Sequence, residues 1–133
     1  MTHVERGVDV RCELLTVARA EPAAAVAAVL SAARLLARAK GVVPAQPGVL
    51  LPELFPSDDP RFTSFSVRHG LLIAPFLWGG QTPQVVEENR VTVVCQLLML
   101  SDAEYAYAVE EGVGAMQQAV ADAGIDVLDW RRR

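Results

Sequence analysis

The chain has few of the residues on which catalytic and metal sites usually depend. Its 133 residues include two histidines, two cysteines and one lysine, Lys40, and aromatic residues make up 6%. His3 and His69 are far apart in the sequence, so no ligand cluster with a diagnostic spacing is present. Cys12 and Cys95 lie in apolar runs typical of strands, which indicates buried, reduced thiols. We therefore predict no metal and no cofactor.

An excess of positive charge is also lacking. Twelve Lys and Arg residues stand against sixteen Asp and Glu, giving a formal net charge of -4 and a pI of about 5.1. A chain without a basic field is not expected to bind nucleic acid. The abundance of Ala, Val and Arg indicates GC-rich coding and favours a bacterial source. An acidic surface would suit a basic partner.

No apolar run reaches the length of roughly 20 residues that a membrane span requires. The alanine-rich segment after Pro22 comes closest, but Arg34 and Arg38 interrupt it. The first nine residues are polar and charged and do not resemble a secretory signal. We expect a cytoplasmic protein that does not enter a membrane, folded as a single domain over residues 1–133.

The N-terminal half predicts one strand and one helix. Residues 8–17 alternate between apolar and polar side chains, as in a strand with one wet face. Pro22 fits the first turn of a helix, and Gly41 its end. The inward side of this helix is predicted from the helical spacing of its apolar residues: Val26, Val29, Leu30, Ala33, Leu36 and Ala37.

The C-terminal half predicts a strand, a buried strand and a helix. Residues 66–77 read as a strand in which Gly70 indicates a bulge or a bend, and the apolar residues 91–100 as a central strand covered on both faces. Ser101 and Glu104 then form a capping box. The helix that follows is predicted to run to Gly124. Its two interior glycines, Gly112 and Gly114, are expected to permit close approach to the sheet. Its inward stripe is predicted to consist of Tyr105, Val109, Gly112, Val113, Met116 and Val120.

These elements predict an α+β, two-layer domain with a mostly antiparallel or mixed sheet covered by two main helices. Direct strand–helix–strand connections could place some neighbouring strands in parallel. The proline-rich residues 42–65 are long for a loop in a compact domain. Either apolar side chains pin this segment to the core, or it is a functional loop. Within it, Asp58 and Asp59 are interpreted as a turn or a helix cap.

The remaining polar candidates have simple structural interpretations. Asp126 and Asp129 could be paired catalytic carboxylates, but no base-orienting or oxyanion partner appears in the sequence. A charge pair with Arg131 or Arg132 is the simpler interpretation. No catalytic residues are predicted.

Five motifs follow one another over about residues 8–131: the Glu13-Leu14-Leu15 strand, residues 71–76 ending in Pro75 and Phe76, the central strand followed by its capping box, the Glu110-Glu111-Gly112 region, and residues 125–131, in which Asp is followed by Arg. Their order and spacing resemble the suppressor of fused family. The match departs from the family near the N-terminus, where the family has further strands, and in residues 39–51. Trp130 stands where proline is common.

The resemblance implies a non-enzymatic protein-binding domain. Animal members of that family hold an extended peptide of a transcription factor, and bacterial members are regarded as immunity proteins that neutralise a cognate toxin. A shortened sheet could expose an edge to a partner or to a second copy in a homodimer. An alternative is a small-molecule-binding or enzymatic domain with residues 42–65 as a lid, and a third is a purely structural subunit.

Five residues are predicted to contact a protein partner: Trp78, His69, Arg68, Trp130 and Arg131. Trp78 follows Pro75 and precedes two glycines, so it is expected to lie on an accessible turn. His69 is interpreted as a surface or partner-facing side chain, next to Arg68. Trp130 stands beside the arginines at the end of the chain.

Overall fold

The computed structural model describes residues 2–5, 8–39, 46–74, 84–87 and 90–132. Trp78, Pro75 and Gly41 lie outside these ranges. The elements in chain order are strands β1 (Thr2–Glu5) and β2 (Val8–Thr16), helix α1 (Pro22–Ala39), strand β3 (Leu50–Leu51), a 3₁₀ turn (Pro60–Phe62), strands β4 (Val67–Ile73), β5 (Gln84–Glu87) and β6 (Arg90–Ser101), and helices α2 (Asp102–Glu111) and α3 (Val113–Asp122).

The strands form one mixed sheet of six strands with the order β1-β2-β6-β4-β3, and β5 also pairs with β6. β2 and β6 run parallel from the Asp9–Arg90 pair to the Thr16–Leu97 pair, while β4 and β5 are antiparallel to β6. Because β2 and β4 both pair with residues 96–97, they occupy opposite edges of β6. The prediction of an α+β fold with a mixed sheet is confirmed.

Two hydrophobic clusters lie on opposite faces of this sheet. In β6, Cys95, Leu97 and Met99 point to the cluster that contains α1, whereas Leu98 and Leu100 point to the cluster that contains α2 and α3. This alternation is the two-residue period of a strand. The central strand is covered on both faces, as predicted. The helices therefore lie on both faces of the sheet. The predicted arrangement, in which one layer of helices covers one face of the sheet, is not what the structure shows.

Helix α1 begins at Pro22 as predicted, but only part of its predicted inward side is inside. Leu36 is buried and Val29 is partly buried against the core, whereas Ala37 is exposed. Its buried residues are small, apart from one leucine: Ala24, Ala28, Ala32 and Leu36. Val26 and Leu30, which were expected inside, are 58% and 47% exposed. The physical reason is that alanine side chains let a helix approach a sheet closely, so the narrow face packs while the bulkier residues remain outside.

The predicted C-terminal helix is two helices. Gly112 has φ 98° and ψ 154°, a conformation that essentially only glycine adopts, and it separates α2 from α3. The prediction that Gly112 and Gly114 permit close approach to the sheet is wrong, since no atom lies within 4 Å of a Cβ placed at either position. Val109 is 60% exposed and does not belong to the inward stripe.

The local signals at the ends of these helices are confirmed. Ser101 Oγ accepts a hydrogen bond from the Glu104 amide at 3.2 Å, and the Glu104 carboxylate accepts one from the Ser101 amide at 2.8 Å, which completes the capping box. Gly124 adopts φ 68° just after α3 ends. A left-handed residue here is a common helix stop.

The described part of the proline-rich segment, residues 46–65, is pinned to the core. Its buried side chains are Leu51, Leu54, Phe55, Phe62 and Phe65. The rings of Phe55 and Phe62 stack with centroids 4.1 Å apart. Asp59 caps the 3₁₀ turn by accepting a hydrogen bond from the Arg61 amide, as its turn context predicts. The segment is an ordered wall of the domain in this range.

Gly70 in β4 is needed for packing. A Cβ at this position would lie 2.7 Å from Leu54 Cδ1 and 2.8 Å from Leu97 Cδ1. The predicted irregularity lies just before it, as a register shift between Val67 and His69. Gly70 therefore lets the wall formed by residues 46–65 sit directly on the sheet.

Among the described residues, one helix, α1, is long and apolar enough to cross a membrane. The core helix of a soluble protein can have the same length and composition, so this is weak evidence. The alanine face of α1 is packed against the sheet in this fold. The structure is compatible with a soluble domain.

Candidate functional site

His69 is buried, and both of its ring nitrogens are engaged. The residue is 6% exposed, and its ring stacks on Tyr105 with centroids 4.3 Å apart. Nδ1 accepts a hydrogen bond from the Glu53 amide at 3.0 Å, and Nε2 lies 2.7 Å from Asp102 Oδ1. Since Nδ1 is an acceptor, the neutral ring carries its proton on Nε2 and donates it to Asp102. The expectation of a surface histidine is wrong, because this ring joins the loop to α2.

Arg68 belongs to the same cluster. Its guanidinium donates to the carbonyl of Phe55 at 3.3 Å and to both carboxylate oxygens of Asp102, at 3.1 and 3.2 Å. The hydrogen bond from His69 and the nearby charge of Arg68 hold the pKa of Asp102 below its usual value. Asp102, at the start of α2, thus binds two side chains of β4, which in turn bind the backbone of residues 53–55. Arg68 remains partly exposed beside this cluster.

Trp130 and Arg131 have different environments. Trp130 is 1% exposed and packs edge-on against Phe55 and Phe65, so it is a core residue and offers no surface to a partner. Arg131 is exposed. Its guanidinium lies 4.5 Å from the centroid of the Phe65 ring and 2.7 Å from a Glu21 carboxylate oxygen. A backbone hydrogen bond and the bond from Arg131 lower the pKa of Glu21.

The neighbouring Arg132, which the sequence analysis named only as a candidate partner of Asp126 or Asp129, is the buried anchor of the C-terminal segment. Two of its N–H groups hold the Glu104 carboxylate at 2.7 and 3.0 Å. The others donate to the backbone carbonyls of Met99, Val127 and Asp129. All five donors of the guanidinium are therefore used. A run of terminal arginines gives no signal that one of them is inside.

Glu104 serves both the helix cap and this ion pair. Burial raises the pKa of Glu104, but the hydrogen bonds from Arg132 and from the Ser101 backbone outweigh it, and the net pKa is lowered. The predicted pairing of Asp126 or Asp129 with the terminal arginine side chains is wrong. Asp126 pairs with Arg19 and accepts from the Leu128 amide, and Asp129 accepts from the Arg131 amide.

A groove runs along α1 between the helix and the wall formed by residues 52–65. We name it the α1 groove. It comprises two adjoining clefts of about 600 and 410 Å³, which share Ala27, Arg61 and Phe62. The larger cleft is bordered by Leu30, Arg34, Arg38, residues 52–54 and Pro56, and the smaller by Glu21 and Arg131. His69 lines neither cleft, so the groove does not contain the histidine that a catalytic interpretation would need.

Two arginines of the α1 groove have no partner in the described part of the chain. Arg61 pairs with Asp59 at 2.8 Å, and this bond lowers the pKa of Asp59. The side chains of Arg34 and Arg38 make no hydrogen bond or ion pair to another described residue. They are exposed and one helical turn apart. The groove thus has a local excess of positive charge on a chain whose net charge is -4.

The outward face of α1 continues this arrangement. Val26, Leu30, Arg34 and Arg38 follow one another at intervals of four residues and are all exposed. Residues at this spacing lie on one face of a helix. We name this row the outer stripe. It is apolar in its first half and cationic in its second half, beside a concave groove.

The structure does not bring the five predicted contact residues together as one surface. His69 and Trp130 are internal, Arg68 and Arg131 are partly accessible in different clusters, and Trp78 lies outside the described residues. The outer stripe was missed because its apolar members were assigned to the core. Within the part of the chain that the structure describes, no three His, Cys, Asp or Glu side chains form a group that could hold a metal ion.

Comparison of the chain with family models, with curated proteins and with solved structures found no match.

Proposed function

We propose that this chain is a non-enzymatic protein-binding domain that neutralises a partner by covering part of its surface, in the manner of an immunity protein. The observation that carries the proposal is the orientation of α1. The helix buries Ala24, Ala28 and Ala32. It presents Leu30, Arg34 and Arg38 to solvent at the border of the α1 groove, and Val26 is exposed beside it. Contiguous exposed apolar side chains rimmed by polar residues mark interaction sites, and Val26 and Leu30 are neighbours on one helix face, followed by two arginines.

The use of the chain's polar residues agrees with this proposal. His69 has both nitrogens in hydrogen bonds, and Asp102 is held by His69 and Arg68. A general base needs a free nitrogen or oxygen within reach of a substrate proton. The only buried pair of opposite charges described, Glu104 and Arg132, connects secondary-structure elements and does not line the groove.

The alternative of a small-molecule or enzymatic site beneath a lid has less support. The proposed lid contributes Leu51, Leu54 and Phe55 to the core. Lifting this part of the segment would expose those side chains and would break the hydrogen bond between the Glu53 amide and His69. The size of the larger cleft is within the range of ligand pockets, but its lining includes the exposed side chains of Leu30, Arg34 and Arg38, which a protein surface could cover.

The resemblance to the suppressor of fused family adds a second line of support, because members of that family act by holding protein partners. A cytoplasmic location, a bacterial source and a cognate toxin as the partner belong to the same proposal. The positive charge of the α1 groove changes the charge that we expect on the partner's contact surface. The contacting part of the partner is expected to be acidic, although the acidic chain as a whole would suit a basic partner.

The direct experiment is affinity capture from the native source with the tagged full chain as bait. We expect one dominant protein in a defined stoichiometry, and we expect its toxicity on expression to be relieved when this chain is co-expressed. A matched bait carrying Arg132→Met, which should weaken the fold, controls for capture by unfolded protein. Recovery of the monomer alone under several conditions would contradict the proposal.

A further inference from the structure

We propose that the α1 groove and the outer stripe beside it take an acidic, apolar segment of a partner protein, with apolar side chains against Val26 and Leu30 and carboxylates on Arg34 and Arg38. This inference rests on the proposed function and names the chemistry of the segment that is bound. It starts from the outer stripe, in which two exposed apolar residues are followed by two arginines without partners among the described residues.

The charges of the groove select an acidic occupant. Of its other cations, Arg61 already pairs with Asp59 and Arg131 with Glu21. A carboxylate arriving at Arg34 and Arg38 would therefore not have to displace an ion pair described in this structure. Arginine also presents planar donors that match a carboxylate with two hydrogen bonds. A basic segment would face uncompensated like charges at the same position.

The apolar half of the site supplies the rest of the contact. Leu30 is 47% exposed at the border of the larger cleft, where Leu54 and Phe62 contribute to the opposite wall. An apolar side chain placed there would remove the exposed apolar surface of Leu30 from water and would contact the small accessible parts of Leu54 and Phe62. Because apolar and cationic positions succeed each other along α1, the segment should carry its apolar residues at one end and its acids at the other.

The shape of the site favours a protein segment over an anionic membrane, even though α1 is apolar enough to raise that alternative. The groove is concave, and residues 52–65 form its second wall. A lipid surface cannot readily fill such a cleft. Membrane binding is therefore an outcome to be tested against peptide binding.

The test selects peptides from a random display library of about sixteen residues, a length that covers most of α1 when helical. The full chain is the target, and two variants are matched in net charge. Arg34→Gln with Arg38→Gln removes two positive charges from the groove, and Gln117→Glu with Ala121→Glu adds two negative charges on the exposed side of α3, so each moves the formal net charge from -4 to -6.

The expected result is enrichment of peptides that combine apolar and acidic residues. Their affinity should fall by at least about tenfold for the Arg34→Gln and Arg38→Gln variant and stay within about twofold for the α3 control. Binding should weaken as salt is added. Thermal unfolding of each variant, measured alongside, shows whether the fold is retained.

Several results would overturn the inference. They are no enrichment, enrichment of basic or uncharged peptides, or equal binding to both variants. Binding to vesicles of phosphatidylserine and phosphatidylcholine that depends on Arg34 and Arg38, without peptide enrichment, would assign the stripe to a membrane. If affinity capture still returns one partner that binds the Arg34→Gln and Arg38→Gln variant normally, the inference fails while the proposed function stands.

Discussion

Two sets of arginines in this molecule are used in opposite ways. Arg132 is buried, and its five N–H groups are all taken by Glu104 and by three backbone carbonyls. Arg34 and Arg38 are exposed, and their side chains bind no other described residue. A buried arginine whose N–H groups are all hydrogen-bonded within the chain stabilises the fold. Two exposed arginines that have no partner among the described residues can bind a group from another molecule. The comparison separates the structural part of the chain from its candidate working surface.

The largest effect is expected at the buried arginine. Arg132→Met should lower the free energy of unfolding by about 3–5 kcal/mol, because it leaves the Glu104 carboxylate buried without its partner. Urea unfolding followed by circular dichroism measures this loss. The neighbouring Arg131→Met removes an exposed pair with Glu21 and a contact of the guanidinium with the Phe65 ring, and it should cost only about 1 kcal/mol. Equal losses of unfolding free energy for Arg132→Met and Arg131→Met would contradict the distinction between a buried arginine that stabilises the fold and an exposed one that does not.

Glu104→Gln tests the same anchor through its pH dependence. We expect a loss of about 2 kcal/mol at neutral pH, since the amide cannot accept two charge-assisted bonds from Arg132. The pKa of Glu104 is lowered in the folded state, so its contribution is present above the ordinary glutamate pKa and is lost as the pH falls through the lowered folded value. Urea midpoints of the variant should therefore fall less steeply in acid than those of the wild type. Parallel profiles would contradict this.

The two faces of α1 provide the third test. Ala28→Leu should destabilise the fold by about 1–2 kcal/mol, because Ala28 is fully buried against the sheet and additional methyl groups overpack the contact. Leu30→Ala, on the outer stripe, should change stability by less than about 0.5 kcal/mol. Chemical denaturation of both variants decides the orientation. The reverse order would mean that the hydropathy pattern had identified the inner face correctly.

The smallest effect on stability is expected where the largest effect on binding is proposed. Arg34→Gln with Arg38→Gln should change the free energy of unfolding by less than about 0.5 kcal/mol, since neither side chain has a partner among the described residues. The α3 variant Gln117→Glu with Ala121→Glu serves as its control in the same unfolding measurement. A clear loss of stability in the arginine variant alone would show that these residues support the fold.

The features that could be predicted from the sequence depend on neighbouring residues. The capping box of Ser101 and Glu104, the stop at Gly124 and the cap at Asp59 are local chemistry, and all three are present. The central strand was recognised because a run of apolar residues long enough to be covered on both faces has few other interpretations. The α+β class follows from the order of such elements.

The features that were missed depend on distant residues or on shape. The environment of His69 is set by Asp102 and Glu53, and that of Arg132 by Glu104 and the carbonyl of Met99. Nothing in their immediate sequence marks them as buried. The inner face of α1 was misassigned because hydropathy ranks valine and leucine above alanine, whereas close packing on a sheet favours the smaller side chain.

The most direct measurement is the affinity of the captured partner for wild-type chain, the Arg34→Gln and Arg38→Gln variant, and the charge-matched α3 variant, by isothermal titration calorimetry at fixed salt. Each protein is first shown to unfold at the same denaturant concentration. We expect a loss of at least about tenfold for the groove variant and wild-type affinity for the control. Wild-type affinity for the groove variant would contradict the central claim that the outer stripe of α1 is the binding surface.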